Sequence, residues 1–342
     1  MLDDLFHAVL SESESALQDL TNRFSQHRIL VIGDLTLDEF LTGQVERISR
    51  EAPVLIIRHE ETRQVPGGGA NAVFNLAKLG AQVTAVGLVG DDDQGKALSR
   101  IFAEAGVDTS GILVDRSRPT VTKTRISAHA RQSVTQQIVR IDRKSDASID
   151  PALQAQLAEF IAQRITEVDA VVCSDYGEGV MVASVIAAAL QHSLVIVDAQ
   201  KDLDRYQGAT IFTPNLPEAE LAVGYPITEA NLHTAATDLL QLTNAPQILI
   251  TRGEDGMSLF GRDGMTEHVP AFNRTQVFDV TGAGDTVVAA LTLALAGGGS
   301  FWQAVVLGNL AASIVVRQFG TTTTTVAEMQ EALQGLLETQ SG

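Results

Sequence analysis

Arg28-Ile29-Leu30-Val31-Ile32-Gly33-Asp34 is the stretch that decides the fold. An unbroken apolar run that stops at Gly-Asp has the character of a parallel strand buried on both faces, with a polar tip at its C-terminal end. Similar runs recur at 85–89, 170–174, 194–198, 210–213 and 247–251. Helical periodicity separates most of them, over 70–79, 94–105, 151–164, 181–191 and 230–242. Alternation of this kind predicts an α/β fold: a mostly parallel sheet covered by helices on both faces.

Two stretches break the pattern. Residues 39–66 and 119–143 alternate apolar and polar positions with no helix between them, as in Thr122-Lys123-Thr124-Arg125-Ile126. Half-exposed strands alternate in this way. They read as a small β-sheet lid over the C-terminal edge of the main sheet, where open α/β proteins bind ligands. Residues 1–27 read as an amphipathic helical extension and 28–342 as one continuous unit. Residues 286–316 carry no charge, a length beyond the ~20 residues of a membrane span. Gly297-Gly298-Gly299-Ser300 interrupts that stretch, and Gln303 and Asn309 lie in its second half, so two buried helices joined by a glycine turn are expected.

Composition narrows the function classes. The chain has 342 residues, 45% hydrophobic and 19% charged, which is ample for a large core and excludes disorder as the main state. Acidic residues outnumber basic ones by 42 to 24, a formal charge of −18. That field repels nucleic-acid backbones and anionic lipid surfaces, while a small anionic substrate needs a metal ion or local cations to offset it. Cys173 is the single cysteine, so an intrachain disulfide or a cysteine-based metal site is not expected, and the seven histidines do not fall at metal-ligand spacing. The first residues lack the basic and apolar regions of a signal peptide, and a cytoplasmic, reduced location is expected.

Several motifs bear on chemistry. Gly90-Asp91-Asp92-Asp93-Gln94-Gly95-Lys96-Ala97 nearly spells a P-loop, but Ala97 stands where a hydroxyl should meet magnesium, so a strand-to-helix turn is expected. Asp279-Val280-Thr281-Gly282-Ala283-Gly284-Asp285 opens an uncharged helix. Its free N–H groups and dipole suit a transferring phosphoryl group, although turn glycines and a favourable first-turn charge explain the same letters. Pro66-Gly67-Gly68-Gly69-Ala70-Asn71 admits a hydroxylated ligand close to the backbone, or is an ordinary glycine loop. Asn215-Leu216-Pro217-Glu218 can orient waters around magnesium or can simply cap a helix.

Taken together, the glycine loop at 67–71, the late Asp279–Asp285 motif and Asn215-x-x-Glu218 resemble the signatures of the ribokinase-like (PfkB) carbohydrate kinases, over about residues 28–337. Within that family Arg47-Ile48-Ser49, Glu51-Ala52-Pro53-Val54, Thr122–Arg125 and Ser174-Asp175-Tyr176 resemble the heptose 7-phosphate kinases of ADP-heptose synthesis. Glu178 and Gln200 depart from that pattern, which usually has lysines there, and the second lid segment carries extra residues around 131–135. No H-x-G-H motif of a nucleotidyltransferase is present, so the kinase step alone is expected.

The resemblance implies a three-layer α/β/α sandwich with a β lid, and transfer of the ATP γ-phosphoryl group to a sugar hydroxyl. It implies Asp285 as general base, with the N–H groups of Gly282, Ala283 and Gly284 on the transferring phosphoryl group. Asp34, Asp38, Gly67, Gly68 and Asn71 would hold the sugar, and Lys123, Arg125 and Arg140 a sugar phosphate. Asn215 and Glu218 would hold Mg²⁺ through waters, and Asp279 is a candidate for K⁺. Thr251, Gly253, Gly256 and Asn309 would lie near adenine. Open strand edges on the lid favour a homodimer. Alternatives are a kinase for ribose, a ketohexose or 2-keto-3-deoxygluconate, and a sugar- or nucleotide-binding homologue without catalysis.

Overall fold

The computed structural model describes residues 4–130, 135–273, 277–318 and 320–338. Helix α1 (Asp4–Asn22) leads into strand β1 (Arg28–Gly33). A long hairpin, β2 (Leu35–Ile48) and β3 (Leu55–Gly68), follows without a linker, then α2 (Gly69–Lys78), β4 (Gln82–Gly90), α3 (Asp93–Glu104) and β5 (Asp108–Asp115). Next come β6 (Val121–His129), β7 (Gln136–Arg143), α4 (Pro151–Arg164), β8 (Ala170–Asp175), α5 (Ala183–Ala189), β9 (Val195–Ala199) and β10 (Ile211–Phe212). The remainder is α6 (Leu216–Val223), α7 (Leu232–Thr243), β11 (Gln247–Thr251), β12 (Met257–Gly261), β13 (Thr266–Val269), α8 (Ala283–Ala296), α9 (Phe301–Val315) and α10 (Val326–Glu338).

Nine strands form the main sheet in the order β13-β12-β11-β10-β9-β8-β1-β4-β5. All pairs are parallel except β11 with β12 and β12 with β13. Side chains of β1 alternate between two cores, which is why its run is apolar throughout. Ile29 and Val31 join a core with α1, α2, α3, α8, α9 and α10, whereas Leu30 and Ile32 join one with α4, α5, α6 and α7. Each fully buried leucine or isoleucine there contributes ~1.5–3 kcal/mol relative to exposure. Leu10, Leu17 and Leu20 bury α1 in the first of these cores.

The lid is a second sheet in the order β3-β2-β6-β7, antiparallel at both outer pairs and parallel at β2 with β6. The extra residues at 131–134 lie outside the described residues. The uncharged stretch folds as α8 and α9 around a glycine turn, with Ser300 and Gln303 in a reciprocal cap. Among the described residues no helix is long and apolar enough to cross a membrane.

Several details depart from the sequence expectation. The 210–213 run pairs only at Ile211 and Phe212. The helix expected at 181–191 is confined to Ala183–Ala189, because the Val180 N–H is held 3.0 Å from the Asp34 carboxylate in a loop. Strands β5, β12 and β13 were not expected. Polar residues such as Asp108, Ser110 and Asp115 mask β5, and short β12 and β13 gain their order from pairing onto β11 at the sheet edge. Asp92 caps α3 through the Gly95 N–H at 2.8 Å and also takes the Thr120 N–H and hydroxyl, so the P-loop-like segment is a turn.

Candidate active site

The chain runs outward from β1 through β4 and β5 on one side and through β8 to β11 on the other. Such a reversal of strand order opens a crevice at the C-terminal strand ends. A cleft of about 190 Å³ lies there, lined by Asp175 at the end of β8 and Tyr176 just beyond it, Asp198 near the end of β9 and Gln200 just beyond it, Thr213, Asn215 and Glu218 after β10, and Thr251 at the end of β11. Gly282, Gly284 and Asp285 close it from the start of α8.

Asp285 is buried at the first turn of α8, with both carboxylate oxygens engaged. Asn71 Nδ2 of α2 donates to Oδ2 at 2.7 Å, and the Tyr176 hydroxyl donates to Oδ1 at 3.0 Å. Burial lifts its pKa to about 6; the Asn71 and Tyr176 hydrogen bonds oppose that rise, Asp38 adds to it and Lys123 opposes it. Asn71 is itself held by Asn75, whose Oδ1 accepts from Thr286 Oγ1 at 2.9 Å, so a buried polar chain ties α2 to α8. Gly282 has φ 79°, and a Cβ there would sit 2.7 Å from Asn71 Nδ2, so both conformation and close approach require glycine. A Cβ on Gly284 would meet nothing within 4 Å, which leaves that side open. Ala283 departs from expectation: its N–H already donates to the Val280 carbonyl at 3.2 Å, closing the turn rather than facing the cleft.

Asp34 also departs from the sugar-binding expectation. Its carboxylate accepts the N–H groups of Tyr176 (2.9 Å), Glu178 (3.0 Å) and Val180 (3.0 Å), so it braces the loop after β8. Burial raises its pKa to about 6 against those three hydrogen bonds. Asp38 lies against Gly67, where a Cβ would come 2.6 Å from its Oδ2, and pairs with Arg125 Nη1 at 2.7 Å. Gly68, at φ 52°, turns the chain from β3 into α2.

Arg125 and Arg63 both lie against the Phe40 ring, 5.3 and 4.9 Å from its centroid, and the Lys123 ammonium lies 5.6 Å from the Tyr176 ring centroid. Arg140 is opposite Arg125 on β7, but it is half-exposed and its guanidinium forms two hydrogen bonds to Asp142 at 2.8 Å each. The surface pair with Asp142 is a simpler account of Arg140 than a site role.

Asn215 and Glu218 form a reciprocal capping box on α6, each side chain 2.9 Å from the other's backbone nitrogen. The capping alternative therefore describes their hydrogen bonds. Burial nonetheless raises the Glu218 pKa, and Asp198 is raised well above the usual carboxylate range, first by burial and then by the charges of Asp285 and Glu218. Among the described residues no three histidine, cysteine or acidic side chains converge as a metal cage. Asp279 accepts from the Thr281 N–H and hydroxyl at 2.9 and 2.7 Å and from the Gly320 N–H at 2.9 Å, bracing two loops.

On the proposed adenine side, Thr251 lines the cleft and bridges to Asn215. Gly256 is a structural glycine, since a Cβ would come 2.2 Å from the Val269 carbonyl; Gly253 turns at φ 59°. Asn309 Nδ2 donates to the Pro270 carbonyl at 2.7 Å, which anchors the segment after β13 to α9. The site expected from the sequence does not include Tyr176 and Asp198. Their position at the C-terminal tips of two parallel strands beside the strand-order reversal was the available signal.

The pfkB family carbohydrate kinase model matches residues 26–328. Similar curated proteins are the "Bifunctional protein HldE" of Trichlorobacter lovleyi, 43% identical over 326 residues (93% of this chain, 65% of that protein), and of Geobacter metallireducens, 45% identical over 309 residues (88% and 61%). The chain thus spans slightly less than two thirds of the length of these relatives. In structure it is similar to Arabidopsis thaliana ribokinase complexed with ribose and ATP (TM-score 0.68, 20% identity, 91% of this chain and 99% of that one). It is also similar to Escherichia coli phosphofructokinase-2 in complex with potassium (TM-score 0.72, 20% identity, with the same coverage). The sandwich and lid expected from the sequence are thus those of ribokinase-like proteins. With this fold, and a family match that runs through the glycine loop and the Asp279–Asp285 motif, the chain belongs to the pfkB family of ATP-dependent carbohydrate kinases.

Proposed function

We propose that this kinase transfers the γ-phosphoryl group of ATP to O1 of D-glycero-D-manno-heptose 7-phosphate, giving a 1,7-bisphosphate for ADP-heptose synthesis. The observation that carries the reading is a buried carboxylate, Asp285, set at a glycine-rich helix start and faced from the lid by Lys123. As the sugar oxygen bonds to phosphorus, its proton passes to Asp285 and the bond from phosphorus to the β,γ-bridging oxygen breaks, releasing ADP. Gly282 and Gly284 at the α8 N-terminus face the charge on the transferring group.

Asp198 and Glu218 face the same cleft; burial raises the pKa of both, and the charges of Asp285 and Glu218 raise Asp198 further, a crowding of carboxyl groups that a divalent cation would relieve. Asn215 and Glu218, already in their capping box, fit Mg²⁺ held through waters, which neutralises charge on the β- and γ-phosphates. Asp279 is the residue through which potassium would act; replacing potassium by tetramethylammonium in the assay measures that contribution.

Lys123 and Arg125 are the assigned partners of the 7-phosphate, with Arg63 beside them. Glu178 and Gln200 remove two expected lysines, but other lysines approach the same loop. Lys144 Nζ lies 3.8 Å from Glu178, and Lys201 Nζ lies 3.8 Å from the space a Gly177 Cβ would fill. We assign the reaction to the cytoplasm and the active form to a homodimer joined through the lid, where β7 is exposed along its length with Ile138, Val139 and Ile141 on it. Sedimentation at micromolar concentration tests the dimer.

The deciding assay is Mg-dependent ADP release with heptose 7-phosphate beside ribose, fructose, fructose 6-phosphate and 2-keto-3-deoxygluconate. Preference for heptose 7-phosphate is expected. Turnover with another sugar alone removes the heptose assignment, and ATP binding without turnover on any of them removes catalysis.

A further inference from the structure

We propose that Tyr176 is a positioning residue for Asp285, its hydroxyl fixing the direction of the carboxylate and keeping it ionised for the acceptor hydroxyl. This inference rests on the reading of Asp285 as the base. The Tyr176 hydroxyl donates to Asp285 Oδ1 at 3.0 Å, while Asn71 holds Oδ2, so the carboxylate is gripped from two elements.

Tyr176 is in turn held firmly. Its N–H donates to Asp34 at 2.9 Å, and the two further bonds from Glu178 and Val180 to Asp34 fix the loop that carries it. Its ring lies 5.6 Å from the Lys123 ammonium, a cation–π distance. A buried phenol beside a carboxylate gives up its own proton only far above neutral pH, first because of burial and then because of the Asp285 charge. It therefore donates a hydrogen bond throughout the working range and transfers no proton itself.

The groups facing Asp285 come from five elements. They are Asn71 of α2, Asp38 of β2, Lys123 of β6, Tyr176 after β8 and Asp198 of β9. Asp38 and Asp198 oppose ionisation, whereas Asn71, Lys123 and Tyr176 favour it. Removing the phenol hydroxyl takes away one of three supports and leaves both opponents.

The test is Tyr176→Phe, which keeps the ring over Lys123. Log kcat/KM for heptose 7-phosphate at saturating ATP is measured from pH 5 to 9 on both proteins, so that titration of the sugar phosphate is common to them. If another sugar of the panel is the acceptor, that sugar is used. The acid limb is expected to move up by about one pH unit, a roughly tenfold loss of rate below it. Carboxyl-¹³C titration of Asp285 in the unreacting protein should show the same displacement. Tyr206→Phe is the control: its hydroxyl bonds Asp175 at 2.6 Å, so it should lower stability and leave the limb in place. An unmoved limb in Tyr176→Phe, with Asp285→Asn inactive, overturns the positioning role alone. An active Asp285→Asn overturns the base assignment beneath it.

Discussion

Replacing Asp285 by asparagine should make the protein more stable and nearly inactive at once. The wild-type carboxyl is held at about 6 against an ordinary 3.8, mainly by burial, which corresponds to about 3 kcal/mol. Because the folded-state value lies above the unfolded one, the wild type loses this stability as pH rises through about 6, and keeps it at pH 4. Asparagine carries no charge to bury. Its amide matches the Asn71 and Tyr176 donors less well, costing ~1 kcal/mol. The variant should therefore exceed the wild type by ~1–2 kcal/mol at pH 8, with the gap closing toward pH 4. Loss of a general base should lower kcat by ~10²–10⁴-fold. Urea melts at pH 4, 6 and 8 beside steady-state ADP release measure both. A variant that keeps more than a tenth of wild-type kcat, or that melts below wild type at pH 8, would falsify this account.

Other substitutions separate site roles from scaffolding. Gly282→Ala forces a Cβ toward Asn71 at φ 79°, and should cost ~1–2 kcal/mol in a thermal melt together with most of kcat. Arg125→Ala should raise KM for a phosphorylated acceptor about tenfold or more, because the phosphate loses the guanidinium assigned to it and meets Asp38 left without its partner, whereas Arg140→Ala should change it less than about threefold. Glu218→Gln preserves a capping box and should leave stability within ~0.5–1 kcal/mol, while the Mg²⁺ concentration for half-maximal rate rises about tenfold.

What was legible in the sequence follows from how local each signal is. Strand β1 could be read because burial on both faces writes an unbroken apolar run, and the start of α8 because Gly282 and Asp285 lie three residues apart. The Asn215–Glu218 box was readable as a cap for the same reason. Asp34 could not be read: its three partners lie more than 140 residues away, and the letters Gly33-Asp34 look alike whether the carboxylate binds sugar or braces a loop. The hydrogen bond from Asn309 to the Pro270 carbonyl, 39 residues away, is hidden in the sequence for the same reason. Arg63 was overlooked because an alternating charged position on a long strand looks solvated until Phe40 and Gly320 are folded against it.

The lid hairpin is spliced directly between Asp34, which braces the loop after β8, and Asn71, which holds Asp285. Asp34 precedes its first strand and Asn71 follows its last by three positions, and the base is locked by the pairs Leu35 with Gly68 and Thr36 with Gly67. Farther out, the register shifts at Thr42/Gly43 and again at Val45/Arg47. The hairpin is therefore a lever with a stiff root and a yielding tip. The tip can be lengthened, shortened or recharged while Asp34 and Asn71 stay where the root puts them. On the proposed reading, such a division would let acceptor choice change without rebuilding the surroundings of Asp285.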